Sequence, residues 1–118
     1  DGIVFDPKQL SNQAVVAGVL SIQSTPTEFA LLQNFPNPFN PETTIQYNLS
    51  ESADVSLHIY NVVGQVVRTL VAERQPAGRY RVQWSGSDDR GVPVSSGIYF
   101  YQISAGKFQD VRKLMLLK

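Results

Sequence analysis

Cysteine is absent from the 118-residue chain, and histidine occurs only once. The missing thiols exclude disulfides, thiolate metal sites and cysteine nucleophiles, and the single histidine excludes a metal site built on a histidine pair. Basic and acidic residues balance at 10 each, so no net field attracts nucleic acid or anionic lipid. No apolar run approaches the ~20 residues of a membrane-spanning helix. We therefore expect no cofactor, no redox chemistry, no nucleic-acid partner and no membrane insertion.

The length and composition fit one globular domain with an additional segment. Hydrophobic residues make up 42% and charged residues 17% of the chain, which is enough apolar material for a packed core. The first residues, 1–7, lack the basic start and apolar centre of a signal peptide. We expect the chain to be a piece of a longer protein.

Residues 1–25 are interpreted separately from residues 26–118, which form the predicted domain. Residues 14–22 are rich in β-branched side chains and predict one strand, and Thr25-Pro26-Thr27 is typical of a linker. Residues 1–25 therefore represent the tail of a preceding domain, a strand lent to such a domain, or a strand that pairs with the domain that follows. The sequence does not decide among these three.

Prolines dominate residues 24–42, where they stand at positions 26, 36, 38 and 41 with asparagines between them. Each proline fixes its own φ and favours extended geometry in the residue before it, which excludes a helix. The segment is predicted to be stiff, extended or turning. Its two phenylalanines, Phe35 and Phe39, are too apolar to leave in water, and we expect both to be buried.

After Glu42 apolar and polar residues alternate in short runs between turn signals, which is the pattern of strands rather than helices. The second run is expected to be antiparallel to the first, and Gly64 predicts a hairpin between the second and third. Trp84 is a core candidate, and the run from Ile98 has apolar residues on both faces, as a central strand does. The pattern predicts an all-β, antiparallel, immunoglobulin-like sandwich of about seven strands. The predicted runs are 45–49, 55–60, 66–70, 79–84, 98–103 and 108–117.

Catalytic apparatus is not visible. His58 alternates with the apolar positions of its strand and is expected to face solvent, and the chain has no nucleophile elbow, phosphate-binding loop or H-E-x-x-H motif. We predict that the chain is not an enzyme. Asp88 and Asp89, with Ser85 and Ser87 nearby, offer oxygen ligands for calcium, but a short interstrand loop needs Asp and Gly for its own geometry.

Five tyrosines are a possible platform for sugars, because aromatic faces stack on carbohydrate rings. Most of them, however, stand in strand alternation, which favours core and cross-strand packing. The tyrosines are Tyr47, Tyr60, Tyr80, Tyr99 and Tyr101.

From Phe29 to Lys118 several motif blocks follow one another in order, and the most specific of them is N-x-P-N-P-F-N-P at residues 34–41. In these blocks the chain resembles the type A C-terminal sorting domain of proteins exported by the bacterial type IX (Por) secretion system. A related Ig-like domain of flagellar hook-capping proteins shares the middle of the pattern, whereas the proline block and the basic-tipped last strand favour sorting. One departure is Trp84-Ser85-Gly86, where the family frequently has Trp-Asp-Gly, and it weakens the calcium hypothesis. The resembling positions include Asn34, Pro36, Asn37, Pro38, Phe39, Asn40, Pro41, Gly64, Gly78, Trp84, Gly91, Gly97 and Tyr99.

The resemblance implies a non-catalytic module that directs an upstream cargo domain of the same chain through the periplasm to the outer-membrane secretion machinery, for release or surface attachment. If the last strand is exposed, its main chain can add to a receptor sheet. The alternative is a surface scaffold, or a carbohydrate- or protein-binding sandwich. The residues expected to carry recognition are Val111, Lys113, Leu114, Met115, Leu116, Leu117 and Lys118.

Overall fold

A computed structural model describes residues 25–118 as a β-sandwich of two antiparallel sheets. These residues contain no helix, and therefore none long and apolar enough to cross a membrane. The strand predicted over residues 14–22 lies outside the described residues. One sheet has the order β1-β2-β5 and the other β4-β3-β6-β7. The strands are β1 (Ala30–Leu31), β2 (Thr43–Leu49), β3 (Ala53–Tyr60), β4 (Val66–Gln75), β5 (Gly78–Trp84), β6 (Gly97–Ala105) and β7 (Phe108–Leu116).

The alternation of apolar and polar residues in the sequence corresponds to an alternation of buried and more exposed side chains in the strands. Every second residue of β2, β3 and β6 is buried, because successive side chains of a strand point to opposite faces. The predicted all-β sandwich of seven strands is confirmed. The largest core side chains are Trp84, Tyr47, Tyr101, Phe39, Ile45, Leu49, Leu57, Ile59, Ile103, Leu114 and Leu116.

Only some of the strands that are consecutive in the sequence pair with each other. The predicted hairpin at Gly64 joins β3 to β4, and a second tight turn joins β6 to β7. In contrast, β2 and β3 belong to different sheets, as do β4 and β5. β4 also runs to Gln75, beyond the predicted end at Leu70, because its polar residues 73–75 pair with residues 53–55 of β3. Ladder hydrogen bonds thus hold residues whose side chains do not indicate a strand.

The sandwich has two ends that differ in content. At one end, here called the entry pole, Phe29 stacks on Phe108 with ring centroids 5.5 Å apart, close to the turn between β6 and β7. At the other end, the far pole, lie the β3–β4 hairpin, the loop 85–96 and the final residues 116–118. The described chain therefore begins at the entry pole and finishes at the far pole.

Candidate interaction site

The proline-rich segment forms a strap, defined as residues 31–39, that connects the edges of the two sheets. Phe35 exchanges two main-chain hydrogen bonds with Thr44, next to the start of β2. Phe39 then bonds the edge of β7: its N–H donates to the Met115 carbonyl at 3.0 Å, and its carbonyl accepts from the N–H of Leu117 at 3.0 Å. The strap thus closes one side of the sandwich.

Side chains fasten the strap to β7 as well. The Asn37 Oδ1 atom accepts a hydrogen bond from the N–H of Met115 at 3.0 Å, and Gln33 Nε2 donates to the Lys113 carbonyl at 2.9 Å. From β7, Arg112 Nε donates to the Leu31 carbonyl at 2.7 Å. The first two bonds satisfy main-chain groups that the last strand would otherwise leave open at the sheet edge, and the third satisfies a carbonyl of the strap.

Asn34 is the buried anchor of the strap. Its Nδ2 atom donates to the Thr43 hydroxyl at 2.9 Å and to the Pro36 carbonyl at 3.1 Å. Its main-chain N–H donates to the Tyr101 hydroxyl at 2.8 Å, and that hydroxyl donates to the Leu32 carbonyl at 2.6 Å. A buried polar side chain is tolerated because each of these groups finds a partner. Burial raises the pKa of Tyr101 to about 12.

The two phenylalanines of the strap have opposite environments. Phe39 is 2% exposed and packs against Trp84, with ring centroids 5.5 Å apart. The expectation that Phe35 is also buried is wrong, since 78% of this residue is exposed. Its main chain is held by the ladder to Thr44, and this pairing turns the ring outward.

The residues expected to carry recognition divide between core and surface. Leu114 and Leu116 are fully buried, whereas Val111, Lys113, Leu117 and Lys118 are exposed and Met115 is half-buried. β7 is an edge strand as expected. The expectation of an open edge is wrong at its carboxyl half, where the strap covers the main chain of residues 113–117. The strap stops short of Val111, whose N–H donates to the Asp110 carboxylate at 2.9 Å.

The remaining motif positions lie in the core, at the starts of strands and in exposed segments. Trp84 packs edge-on against Tyr99 with centroids 5.5 Å apart, and its Nε1 donates to the Ser87 carbonyl at 2.8 Å. The Tyr99 hydroxyl donates to the Ser95 carbonyl at 2.7 Å. These bonds tie the loop 85–96 to the core. Gly78 and Gly97 begin β5 and β6, Gly91 lies in the loop, and Pro36, Pro38, Asn40 and Pro41 are exposed.

Most of the tyrosines serve packing. Tyr47, Tyr99 and Tyr101 are buried, which excludes them from a sugar-stacking surface. Tyr47 stacks on Tyr80 at a centroid distance of 5.2 Å and donates its hydroxyl hydrogen to Gln75 Oε1 at 2.5 Å. Burial raises the pKa of Tyr47 to about 12. Core packing is thus the correct interpretation for these three.

The loop carboxylates considered for calcium cap the backbone. Asp88 Oδ1 accepts from the N–H groups of Arg90 and Val92 at 2.9 and 3.0 Å. The Val92 bond is the largest cause that holds the pKa of Asp88 below its usual value. Asp89 Oδ1 accepts from the N–H of Thr69 at 2.9 Å. The two aspartates therefore fix the loop, as turn geometry requires.

His58 lies half-buried on the outer face of the four-stranded sheet, with Nδ1 3.0 Å from the Thr69 hydroxyl. Within residues 25–118 no three histidine or carboxylate side chains gather where they could hold a metal ion. The partner of His58 is a threonine, and no acid–base pair of the kind used in nucleophilic catalysis is formed there.

One feature of the far pole escaped the sequence interpretation. Val62 and Val63 occupy the tip of the β3–β4 hairpin and are 69% and 74% exposed. A tight turn normally carries Gly, Asn, Asp or Ser. Two consecutive valines in a predicted turn were therefore the sequence signal of an exposed apolar hairpin tip.

Comparison with known proteins gives a family and two similar folds. The sequence model of the FlgD Ig-like domain matches residues 40–108. The crystal structure of dimeric latent PorU from Porphyromonas gingivalis is similar at 18% identity and TM-score 0.61, over 74% of this chain and 9% of that one. PorZ, an essential surface component of the type IX secretion system of the same bacterium, is similar at 18% identity and TM-score 0.52, over 73% of this chain and 11% of that one. A search of curated proteins gave no match. The chain thus spans about a tenth of each solved protein, and at this identity the likeness concerns the fold.

Proposed function

The chain belongs to the FlgD Ig-like domain family, and from this premise we propose that it is a non-catalytic type A sorting module of the type IX secretion system. On this proposal residues 26–118 are the module, and they direct an upstream cargo domain to the outer-membrane machinery and the cell surface. The structural likeness to PorZ, a surface component of the type IX secretion system, supports this proposal.

One observation supports a sorting role more specifically than the family match does. The family match covers residues 40–108, and the segments that favour sorting over hook capping lie largely outside it, in the strap and at the end of β7. In the fold these segments contact each other directly, through Asn37 and Met115 and through Phe39 and Leu117. The sorting-specific parts of the sequence therefore form one continuous structure, which supports a shared role.

The test is delivery of a reporter protein fused to the whole chain in a bacterium with type IX secretion. Surface delivery of the fusion, absent for the reporter alone and absent in a strain without the machinery, is the expected result. A folded fusion that stays in the periplasm of the competent strain would contradict the proposal.

Residue-level tests need substitutions rather than truncation. Removing residues 114–118 would delete Leu114 and Leu116 from the core and confuse unfolding with loss of recognition. The exposed Lys113 and Lys118 can each be changed to Ala without loss of core contacts. Their combined replacement is expected to lower delivery while the thermal unfolding temperature is preserved.

A protein-binding scaffold is the second candidate function. It is favoured by the exposed apolar side chains of the far pole. A carbohydrate-binding role loses its main support because Tyr47, Tyr99 and Tyr101 are buried. Normal delivery of the fusion in a strain that lacks the type IX machinery would favour the scaffold.

A further inference from the structure

The strap bonds the edge of β7 in the way that a parallel strand would. Phe39 forms a parallel bridge with Leu116, through its two main-chain hydrogen bonds to residues 115 and 117. Further along the edge, side-chain carboxamides replace main-chain groups. Asn37 Oδ1 accepts from the N–H of Met115, and Gln33 Nε2 donates to the carbonyl of residue 113. The strap therefore occupies the position that a neighbouring strand would take.

The strap is itself poorly suited to pairing with a further strand. Strands pair through N–H groups, and proline has none. Prolines stand at positions 36, 38 and 41, and the N–H of Phe39 is already bonded to β7. Over residues 36–41 only Asn37 and Asn40 keep an N–H that is not used for β7. The strap thus ends the sheet instead of presenting a new edge.

Beneath the strap, the edge of β7 is complementary to itself. The strap bonds main-chain groups of residues 113, 115 and 117, so the odd-numbered residues direct these groups away from β6. Two copies of β7 arranged antiparallel about Leu114 would place residue 113 opposite 115 and Val111 opposite Leu117. These residues are all odd-numbered, so both pairs would exchange main-chain hydrogen bonds. In the single chain the N–H of Val111 is bonded only by the neighbouring Asp110 carboxylate, at 2.9 Å.

The charges on β7 favour this register. About Leu114, Asp110 of each copy lies opposite Lys118 of the other, which gives two pairs of opposite charge. Arg112 lies opposite residue 116 and Lys113 opposite residue 115, and both of those residues are apolar. The two neighbouring registers are worse, because centring on residue 113 sets Lys113 against itself and centring on residue 115 sets Arg112 against Lys118. This comparison includes every charged side chain of residues 108–118.

We propose that the edge of β7 is an interaction surface for a second copy of this chain, and that the strap covers this edge and keeps the domain monomeric. The proposal is independent of the sorting function. A second copy pairs only with a molecule whose strap has left β7, so the apparent association constant is the intrinsic one multiplied by the open fraction. That fraction is small, because Phe39 is 2% exposed and packs on Trp84. The attachment of the strap therefore controls dimerisation.

Sedimentation of the whole chain over a range of concentrations tests the proposal. Gln33→Ala/Asn37→Ala removes both carboxamide bonds to β7, and these side chains are exposed, so the fold is expected to be preserved. Gln33 also donates to Oδ1 of Asn34 at 2.6 Å, a bond within the strap. The dimer association constant is expected to rise by about tenfold or more, since each lost bond favours the open state by roughly fivefold. Asn40→Ala/Gln83→Ala is the matched control, because it removes the same two types of exposed side chain away from β7.

A charge swap identifies the surface that forms the dimer. In the Gln33→Ala/Asn37→Ala background, Lys118→Asp sets an aspartate opposite Asp110 at both ends of the pairing. The association constant is expected to fall by about tenfold. Adding Asp110→Lys to Lys118→Asp restores the opposite charges and is expected to restore the dimer.

Three outcomes would overturn the proposal. The first is a folded Gln33→Ala/Asn37→Ala variant with the association constant of the wild type. The second is a dimer of this variant that Lys118→Asp does not weaken, because that dimer would use another surface. The third is a wild-type chain that dimerises as strongly as the variant, because the strap would then not control pairing.

Discussion

The N–H of Met115 donates to Oδ1 of Asn37 at 3.0 Å, across 78 residues of sequence. This contact joins the proline-rich strap to the last strand, so that the strap covers the edge of the sheet at this strand. A strand edge closed in this way is protected against pairing with other chains. The closed edge is the reason that we place recognition in side chains.

Replacing Asn37 with Ala is expected to loosen the strap. The N–H of Met115 loses its acceptor, and a lost hydrogen bond of this kind costs about 1 kcal/mol. Amide hydrogen exchange should accelerate at Met115 and Leu117, with little change in β3. Asn40→Ala is the control, because the exposed Asn40 side chain bonds to no other residue of 25–118. Equal exchange rates in the two variants would contradict the role of the Asn37 side chain in holding the strap to β7.

The two strap phenylalanines should respond differently to truncation. Phe39→Ala removes a buried ring that packs on Trp84 and is expected to lower the free energy of unfolding by about 3–5 kcal/mol. Phe35→Ala removes an exposed ring and is expected to change it by less than about 0.5 kcal/mol. Urea unfolding followed by Trp84 fluorescence measures both. A large loss for Phe35→Ala would mean that its ring is packed.

Tyr101→Phe tests the anchor beneath the strap. The substitution leaves the N–H of Asn34 and the carbonyl of Leu32 without their hydroxyl partner, which is expected to cost about 1–3 kcal/mol. Tyr60→Phe is the control, since the Tyr60 hydroxyl bonds to no other residue within the described range. Denaturant midpoints of the two variants give the comparison. Indistinguishable midpoints would remove this role from Tyr101.

Alkaline pH is expected to weaken the fold through two buried phenols. The pKa values of Tyr47 and Tyr101 are raised to about 12, above the usual 10. Between these values the unfolded chain releases a proton that the folded chain retains, so stability is complete below pH ~10 and falls as the pH rises towards ~12. Unfolding free energies from pH 8 to 12 should show this decline. A smaller decline in Tyr101→Phe is expected, and an unchanged one would mean that Tyr101 does not contribute.

Calcium is expected to leave the stability unchanged. Asp88 and Asp89 already accept main-chain hydrogen bonds from Arg90, Val92 and Thr69. Binding an ion would have to displace these bonds. Thermal unfolding with millimolar calcium and with chelator should coincide, and a rise in unfolding temperature with calcium would restore the metal hypothesis.

The sequence by itself determined that the domain is all-β, and it located most of the strands and most of the core residues. Apolar residues at every second position predict which side chains are buried, because the side chains of a strand repeat with a period of two residues. The buried positions predicted in this way include Ile45, Tyr47, Leu49, Val55, Leu57 and Ile59. The hairpin at Gly64 was readable for a similar reason, since a tight turn needs a residue that accepts positive φ. Both signals are local.

Only the tertiary structure decided what lies beside what. Contacts between residues far apart in sequence decide which sheet contains β2 and which contains β3. Such contacts also decide that the strap crosses onto β7. Local pattern therefore could not separate the buried Phe39 from the exposed Phe35, whose side chains have the same hydrophobicity.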